Sequence, residues 1–322
     1  MRPESASTTL RRDLSAVAHE FDDQAAEKKF VAPLLAPIAE VGECGATYPV
    51  WNRESFKKKA DVVRGPDGSY NRITGEFGSA NYACEDHGLE MPLDARRQAQ
   101  YRTFLDLEEG ATRILRRNIL MAWETRVAAL WSGMGLTGHN VATAWSDAAN
   151  CVPLTADLPT AFDTLEDKCG CDRSELTIVI PRADYAELVA TTEVRDRIKY
   201  TFPGVQPALL GAAQLAAMLE VRRVIVPRAA YDSAAEGESE SMSQFWAAGT
   251  IYVALLCDPD DPIEFPSAAR TLLWPGDGAT EIPVVEEYWE DRVRAQVLRV
   301  RDDTDEVATA EADLMAYSIS NT

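Results

Sequence analysis

Six cysteines and three histidines are the side chains of this 322-residue chain best suited to metal binding or nucleophilic chemistry. Only Cys169 and Cys171 are close in sequence, and neither a CxxC pair nor a neighbouring histidine accompanies them. Zinc sites need clustered ligands, so this spacing does not predict one. The remaining candidates are scattered along the chain: Cys44, Cys84, Cys151, Cys257, His19, His87 and His139. The pattern favours reduced thiols over a metal or redox centre, and it predicts no metal and no cofactor.

Catalytic motifs are also missing from the sequence. The chain has no GxGxxG after a strand, no GxxxxGK[ST], HExxH or GxSxG, and no kinase-like set of motifs. Glu108 and Glu109 are adjacent, as are Glu286 and Glu287, so the members of each pair diverge rather than share a proton. A run of three lysines, Lys57–Lys59, is more typical of a solvated loop tip than of a phosphate site. We therefore predict that the protein is not an enzyme, although a site assembled from distant residues stays open.

The charge is strongly acidic and unevenly distributed. Residues 1–150 hold 18 Lys+Arg and 21 Asp+Glu, whereas residues 151–322 hold 14 and 31, for a formal net charge of −20. Sequence-specific nucleic-acid binding needs a basic face, so it is disfavoured. No run of about eighteen apolar residues and no secretory h-region is present, which predicts no membrane span and synthesis in the cytoplasm.

The element that organises the chain is a long predicted helix at residues 105–134. It lacks proline, is rich in strong helix formers, and would span about 45 Å. Its first half carries Arg113, Arg116 and Arg117, and its second half is apolar around Trp123 and Trp131. We expect the Trp123–Trp131 end to lie under the C-terminal strands of its own domain, and the Arg113–Arg117 turn to contact the hairpin or arm of a neighbouring subunit.

Two segments before this helix lack a core of their own. Residues 1–30 are polar with a short amphipathic pattern, either pinned by a neighbour or packed on their own domain. Residues 45–95 form two extended stretches, around Tyr48 and around Tyr82, joined by a polar tip. A hairpin of this length is marginal alone and should bury itself on another subunit.

Strands alternating with helices follow the long helix, which predicts an α+β domain with a helix-covered sheet. Buried strands are predicted at 177–181 and 221–227, with two more at 245–257 and 269–275. Helices are predicted at 158–168, 182–190, 193–200 and after Pro207. At the end of the chain, two alternating segments around an acidic DDTDE sequence predict an antiparallel pair with DDTDE as its turn.

The order of these parts resembles the major capsid protein family of tailed bacteriophages. Family-like motifs are the hairpin entry 45–51 (GATYPVW), the helix opening at Leu105, Asp106, Leu107 and Thr112, and the passage 196–201 (DRIKYT). The same fold is found in encapsulins and in the herpesvirus capsid floor. The resemblance implies an α+β capsid fold with an N-terminal arm (1–44), an extended loop (45–100), a peripheral domain (101–175 and 285–322) and an axial domain (176–284).

The resemblance further implies a virion protein that assembles with itself, as pentamers and hexamers, into an icosahedral shell around double-stranded DNA. Separate scaffolding, portal and decoration proteins are possible partners, DNA contact is not sequence-specific, and no membrane is involved. An encapsulin-type compartment shell and a soluble enzyme are the alternatives. The predicted inter-subunit contacts are Tyr48, Trp51, Lys57, Lys58, Lys59, Arg64, Arg72, Arg113, Arg116 and Arg117.

Overall fold

A computed structural model describes residues 9–10, 30–50, 62–64, 68–70, 72, 77–101, 106–201, 210–235, 237–258, 261–263, 265–278, 282–311 and 314–322. Its α-helices are α1 (Ala32–Leu35), α2 (Ala95–Tyr101), α3 (Leu107–Gly133), α4 (Leu158–Cys169), α5 (Arg182–Ala190), α6 (Thr192–Thr201) and α7 (Ala212–Leu219). Its first strands are β1 (Thr9–Leu10), β2 (Ile38–Glu40), β3 (Gly45–Val50), β4 (Gly78–Ala83), β5 (Glu85–Asp94), β6 (Gly138–Asn140), β7 (Leu176–Val179) and β8 (Arg223–Ile225). The later strands are β9 (Ala230–Asp232), β10 (Met242–Gln244), β11 (Thr250–Leu255), β12 (Ala269–Leu273), β13 (Val284–Glu290), β14 (Ala295–Ala308) and β15 (Ala316–Ser320).

The predicted long helix is confirmed as α3, which has 27 residues. Asp106 caps its start, because Oδ1 accepts the backbone N–H groups of Glu108 and Glu109 at 3.0 and 3.3 Å. Glu109 and Arg113 form an ion pair one turn apart. The apolar half is clamped as predicted, with the Trp123 indole donating to Thr271 Oγ1 at 3.1 Å.

A six-stranded sheet lies against α3. Its order is β1-β13-β14-β12-β2, and β5 pairs with the other edge of β14. The 14-residue β14 is antiparallel to β5, β13 and β12, so it is the strand on which most of the sheet depends. One apolar cluster joins helix and sheet, and it contains Leu93, Ala111, Leu115, Ile119, Val285, Leu298 and Val300.

The predicted antiparallel pair at the end of the chain is wrong. Residues 301–306, which include the DDTDE segment, continue as the middle of β14 and do not turn. The last strand, β15, belongs to a second sheet of order β6-β15-β11-β7-β8. The acidic run therefore lies within a sheet, because cations from elsewhere in the chain compensate its charges.

The second sheet and the helices around it form the largest apolar cluster. Helices α4 to α7 contribute Phe162, Leu165, Leu188, Ile198 and Leu215 to it, facing buried strand residues such as Ile178, Val253 and Ile319. Helices 158–168, 182–190 and 193–200 are confirmed to within two residues, and so are the strands β7 and β8. The predicted strand 245–257 is confirmed only in part, since β11 begins five residues later, at Thr250, and ends at Leu255. The predicted helix opening at Pro207 lies outside the described residues, and α7 begins at Ala212. Strand β12 joins the six-stranded sheet instead.

Residues 30–40, predicted to be part of an arm, lie in the core of their own chain. Phe30, Val31 and Leu35 are at most 6% exposed. The buried Glu124 carboxylate of α3 accepts the N–H groups of Val31 and Ala32 at 2.9 and 2.8 Å, together with the Trp246 indole at 2.6 Å. These contacts satisfy orphan donors at the start of α1 and fasten the segment to the long helix. Apart from β1, which pairs with β13, residues 1–29 lie outside the described residues.

Compensating cations surround the acidic run of β14. Arg126 of α3 donates to Glu306 Oε2 at 2.8 Å and to Thr304 Oγ1 at 3.1 Å, and its guanidinium lies 3.8 Å from Asp302. Arg301 pairs with Asp303 at 3.1 Å and reaches Glu286 on β13 at the same distance. Burial raises the pKa of Glu306, and Arg126 opposes that rise. Each of these carboxylates is therefore tied to a partner on a neighbouring element or on β14 itself.

His87 of β5 faces the same carboxylates. Its Nδ1 lies 3.5 Å from Asp302 Oδ1, an ion-pair distance. The Asp302 carboxylate is the main cause that raises the pKa of His87, against the opposing effects of burial and of Arg126. A protonated His87 thus adds a second cation, beside Arg126, to the site that holds the Asp302 and Glu306 carboxylates.

Replacing Arg126 by methionine should destabilise the folded chain by about 3 kcal/mol, because it leaves buried carboxylates without their cation. The matched control is Arg113→Met on the same helix, where the side chain is 53% exposed. That change should stay within about 0.5 kcal/mol of wild type. Urea unfolding of the unassembled chain measures both, and equal losses for the two variants would contradict the compensation described for β14.

His87 should make stability depend on pH. Because the folded chain holds the proton more tightly, its contribution is full below about pH 6.5 and is lost as pH rises through the raised pKa. The difference in unfolding free energy between wild type and His87→Gln should therefore shrink as pH rises above about 6.5. Urea titrations at several pH values measure it. A difference that stays constant, or that grows with pH, would be inconsistent with an ion pair to Asp302.

Candidate assembly interface

The base of the predicted hairpin is confirmed as an antiparallel pair, β3 with β4, from Gly45↔Ala83 to Val50↔Gly78. Two tyrosines fasten it to the rest of the chain. Tyr48 donates its hydroxyl to the carbonyl oxygen of Ala308 at 2.9 Å, and its ring lies 6.3 Å from that of Tyr82. Burial raises the pKa of both phenols, so both stay protonated as donors at neutral pH.

The return strand is held on the same sheet. Asp305 of β14 accepts the backbone N–H of Ala83 at 2.9 Å. Tyr82 is 8% exposed and packs with Ala39, Leu272 and Val307 in a small apolar cluster. The hairpin root, meaning β3 and β4 with these contacts, is thereby fixed to the six-stranded sheet.

Beyond the root, the described hairpin residues are exposed. Val62 is 86% and Tyr70 is 72% exposed, and Val63 and Phe77 are also mostly accessible to solvent. The Arg64 guanidinium lies 4.9 Å from the centre of the Tyr70 ring, and its Nε donates to the Gly68 carbonyl at 2.6 Å. Exposed apolar side chains on an extended segment are typical of a surface that another chain covers.

The first half of α3 presents a second exposed surface. Arg113, Ile114 and Arg117 all face solvent, and Ile114 is 52% exposed. Arg116 lies on the opposite side of the helix, and its side chain is fully buried, with Nη2 donating to the Ile282 carbonyl at 3.3 Å. The prediction that Arg116 contacts a neighbour is therefore wrong, because the residue faces the interior of its own chain.

A groove of about 380 Å³ runs between the second half of α3 and the β9–β10 hairpin. It is lined by Thr125, Ala128, Ser132, Tyr231, Phe245 and Trp246. Tyr231 and Phe245 stack at its rim with ring centres 4.7 Å apart. Its lining contains no Asp, Glu, His, Lys, Arg or Cys among the residues that the structure describes, so the groove offers mainly packing surface.

The predicted contact residues are thus divided among several places. Arg64, Arg72, Arg113 and Arg117 are exposed, Tyr48 is half-buried against its own β14, and Trp51 and Lys57–Lys59 lie outside the described residues. Sequence reasoning did not select Val62, Tyr70 or Ile114 as surface candidates. A signal for Ile114 was present, since it lies between Arg113 and Arg117 on the face away from Leu115 and Ile119.

Sites of other kinds were also sought in the part of the chain that the structure describes. It contains no group of three or more His, Cys, Asp or Glu side chains placed to hold a metal ion. None of its helices is both long and apolar enough to cross a membrane.

Comparisons with known proteins show similarity to phage proteins. No protein-family model matches the chain. A curated major capsid protein of Burkholderia phage BcepMu is 27% identical over 237 residues, covering 70% of this chain and 72% of the relative. A phage-related protein from Bordetella bronchiseptica RB50 has a TM-score of 0.71 at 19% identity, covering 98% of both chains. The capsid of cyanophage P-SCSP1u has a TM-score of 0.59 at 12% identity, covering 89% of this chain and 86% of that one.

The two solved structures establish the fold, and the curated relative adds similarity in sequence over most of the chain. An extended hairpin fixed at its root and a long helix with an exposed face accompany that fold. The chain therefore has the fold of phage capsid proteins and resembles a phage major capsid protein in sequence over 70% of its length.

Proposed function

We propose that this protein assembles with itself into the icosahedral shell that encloses the double-stranded DNA of a tailed phage. The observation that carries the proposal is the hairpin, which is fixed at its root by Tyr48 and Asp305 and exposes Val62 and Tyr70 beyond it. These apolar side chains are exposed in the single chain, so they call for a partner surface. A neighbouring copy of the same chain supplies that surface at every position of a closed shell.

The free energy of burying the hairpin side chains suits an assembly built from many repeated contacts. Burying one side chain of this size stabilises by about 1.5–3 kcal/mol, so a few of them per hairpin give a weak individual contact. Each subunit both extends a hairpin and receives one, and a closed shell multiplies these contacts. Assembly also stabilises each folded subunit by mass action, so the free chain need not be very stable.

The charge suits a container for DNA. With a net charge of −20 the chain does not attract phosphates overall, and tight binding to DNA would need many Lys and Arg contacts. DNA would be enclosed without sequence-specific contact. We further propose that portal, scaffolding and decoration proteins are separate partners, and that the subunits are made and assembled in the cytoplasm of the bacterial host.

An encapsulin-type shell is the second candidate, because encapsulins share the fold. The sequence similarity to a phage major capsid protein favours the phage shell. The two differ in content, since an encapsulin encloses protein cargo. Nucleic-acid analysis of particles purified from cells that also make the packaging partners distinguishes them: nuclease-resistant double-stranded DNA is expected, and particles that hold only protein would favour an encapsulin.

Deleting residues 57–71 should abolish shell formation and leave a folded monomer, because the root contacts of Tyr48 and Ala83 stay in place. Sedimentation velocity and negative-stain electron microscopy measure assembly, and circular dichroism measures folding. Particles that form normally from the deleted chain would refute a clamp role for the hairpin.

A matched pair of substitutions refines this test. Val62→Ser should raise the concentration needed for assembly at least about tenfold, because each 1.4 kcal/mol of lost burial changes an association constant tenfold. Met242→Ser is the control, since Met242 is 63% exposed and lies outside the hairpin formed by β3 and β4. Assembly that weakens equally in both variants would show that the hairpin has no special part in it.

A further inference from the structure

Two thiols are brought together at the end of α4. Cys169 is the last residue of the helix, Gly170 caps it in the left-handed conformation with φ of 69°, and Cys171 follows. The Gly170 N–H donates to the Glu166 carbonyl at 2.9 Å, which closes the last turn. This turn brings the Sγ atoms of Cys169 and Cys171 to 2.9 Å from each other.

Packing holds the two sulfurs in this arrangement. Cys169 is 8% exposed, and its Sγ lies 3.0 Å from the Leu165 carbonyl oxygen one turn earlier. Cys171 is partly buried and packs against the apolar cluster of the second sheet, and it is the more exposed residue of the two. Two sulfurs held at 2.9 Å need to approach by only about 0.9 Å more to reach the length of a covalent S–S bond.

We propose that Cys169 and Cys171 are a redox-active dithiol that closes to an intramolecular disulfide by exchange with a small-molecule disulfide. With the proton that the pair shares on Cys169 Sγ, the Cys171 sulfur is the thiolate, and it attacks one sulfur of the reagent RSSR, forming a mixed disulfide and releasing RS⁻. The Cys169 sulfur then gives up its proton and attacks Cys171 Sγ, which forms the Cys169–Cys171 bond and breaks the bond to RS. The dithiol loses two electrons and two protons, and RSSR gains them to become two RSH.

The proton held between the two sulfurs supports this exchange. A hydrogen bond from Cys171 lowers the pKa of Cys169 to about 7, against the opposing effect of burial. The pair therefore carries a substantial thiolate fraction at neutral pH, which exchange requires.

A second pair of cysteines provides a comparison within the same chain. Cys44 and Cys84 lie opposite each other at the hairpin root, where the Cys84 N–H donates to the Cys44 carbonyl at 2.8 Å. The Cys84 thiol points elsewhere, with its Sγ 3.7 Å from the Leu272 carbonyl oxygen. Burial raises the pKa of Cys84 to about 11, so little of it is thiolate at neutral pH. Oxidation should therefore occur at Cys169–Cys171 first.

The test incubates the purified full chain with glutathione disulfide at neutral pH and then alkylates the remaining thiols. Trypsin cleaves after Lys168 and Arg173 and so releases both cysteines in the single peptide 169–173, with no other cysteine. We expect this peptide to lose two hydrogen atoms and to resist alkylation, and to take up two alkyl groups after reduction. The double variant Cys44→Ser/Cys84→Ser should form the Cys169–Cys171 disulfide as wild type does. The double variant Cys169→Ser/Cys171→Ser should no longer form an intramolecular disulfide with glutathione disulfide.

Three results would overturn the proposal. One is that peptide 169–173 is fully alkylated at every ratio of oxidised to reduced glutathione. Another is that it carries only glutathione adducts or links to a second chain. The third is that oxidation persists in Cys169→Ser/Cys171→Ser and disappears in Cys44→Ser/Cys84→Ser. Because the peptide itself reports the bond in wild type, the test does not depend on the folding of either variant.

Discussion

Burial of the carboxylates of β14 is the constraint on which the rest of the structure depends. Asp302 and Asp303 are at most 5% exposed, in the middle of the strand that pairs with β5, β12 and β13. Buried charges are tolerated only with close partners, and here the partners are Arg126 and Arg301, with His87 beside them. Because Arg126 belongs to α3 and His87 to β5, the charges fix the long helix and the return limb of the hairpin relative to the sheet.

The same strand also holds the root of the hairpin. Near the end of β14, after Asp302 and Asp303, Asp305 accepts the N–H of Ala83 and the Ala308 carbonyl accepts the Tyr48 hydroxyl, which holds the hairpin root. Past that root the described residues face solvent. A shell subunit needs this combination, since a hairpin that swung freely would lose ordering entropy on assembly, and one folded onto its own core could not reach a neighbour.

Local signals in the sequence were sufficient for α3 and for the hairpin base. Asp106 and the helix formers after it define the start of α3, and alternating residues around Tyr48 and Tyr82 define two strands. The DDTDE sequence was predicted to be a turn and is part of β14. Its partner Arg126 is about 180 residues away in sequence, and no local pattern reveals such a pairing. The assignment of β15 to the second sheet is equally non-local. Arg116 is different, since its helical spacing from Thr112 and Ile119 places it on the buried face.

The central claim is that the hairpin is fixed to its own sheet and covered by a neighbouring subunit. A reconstruction of the assembled shell by electron cryo-microscopy, at a resolution that separates side chains, tests it most directly. We expect Tyr48 to keep its hydrogen bond to Ala308 of the same chain while Val62 and Tyr70 are buried against a neighbouring copy. A shell in which Val62 and Tyr70 face solvent, or fold back onto the core of their own chain, would contradict this assignment.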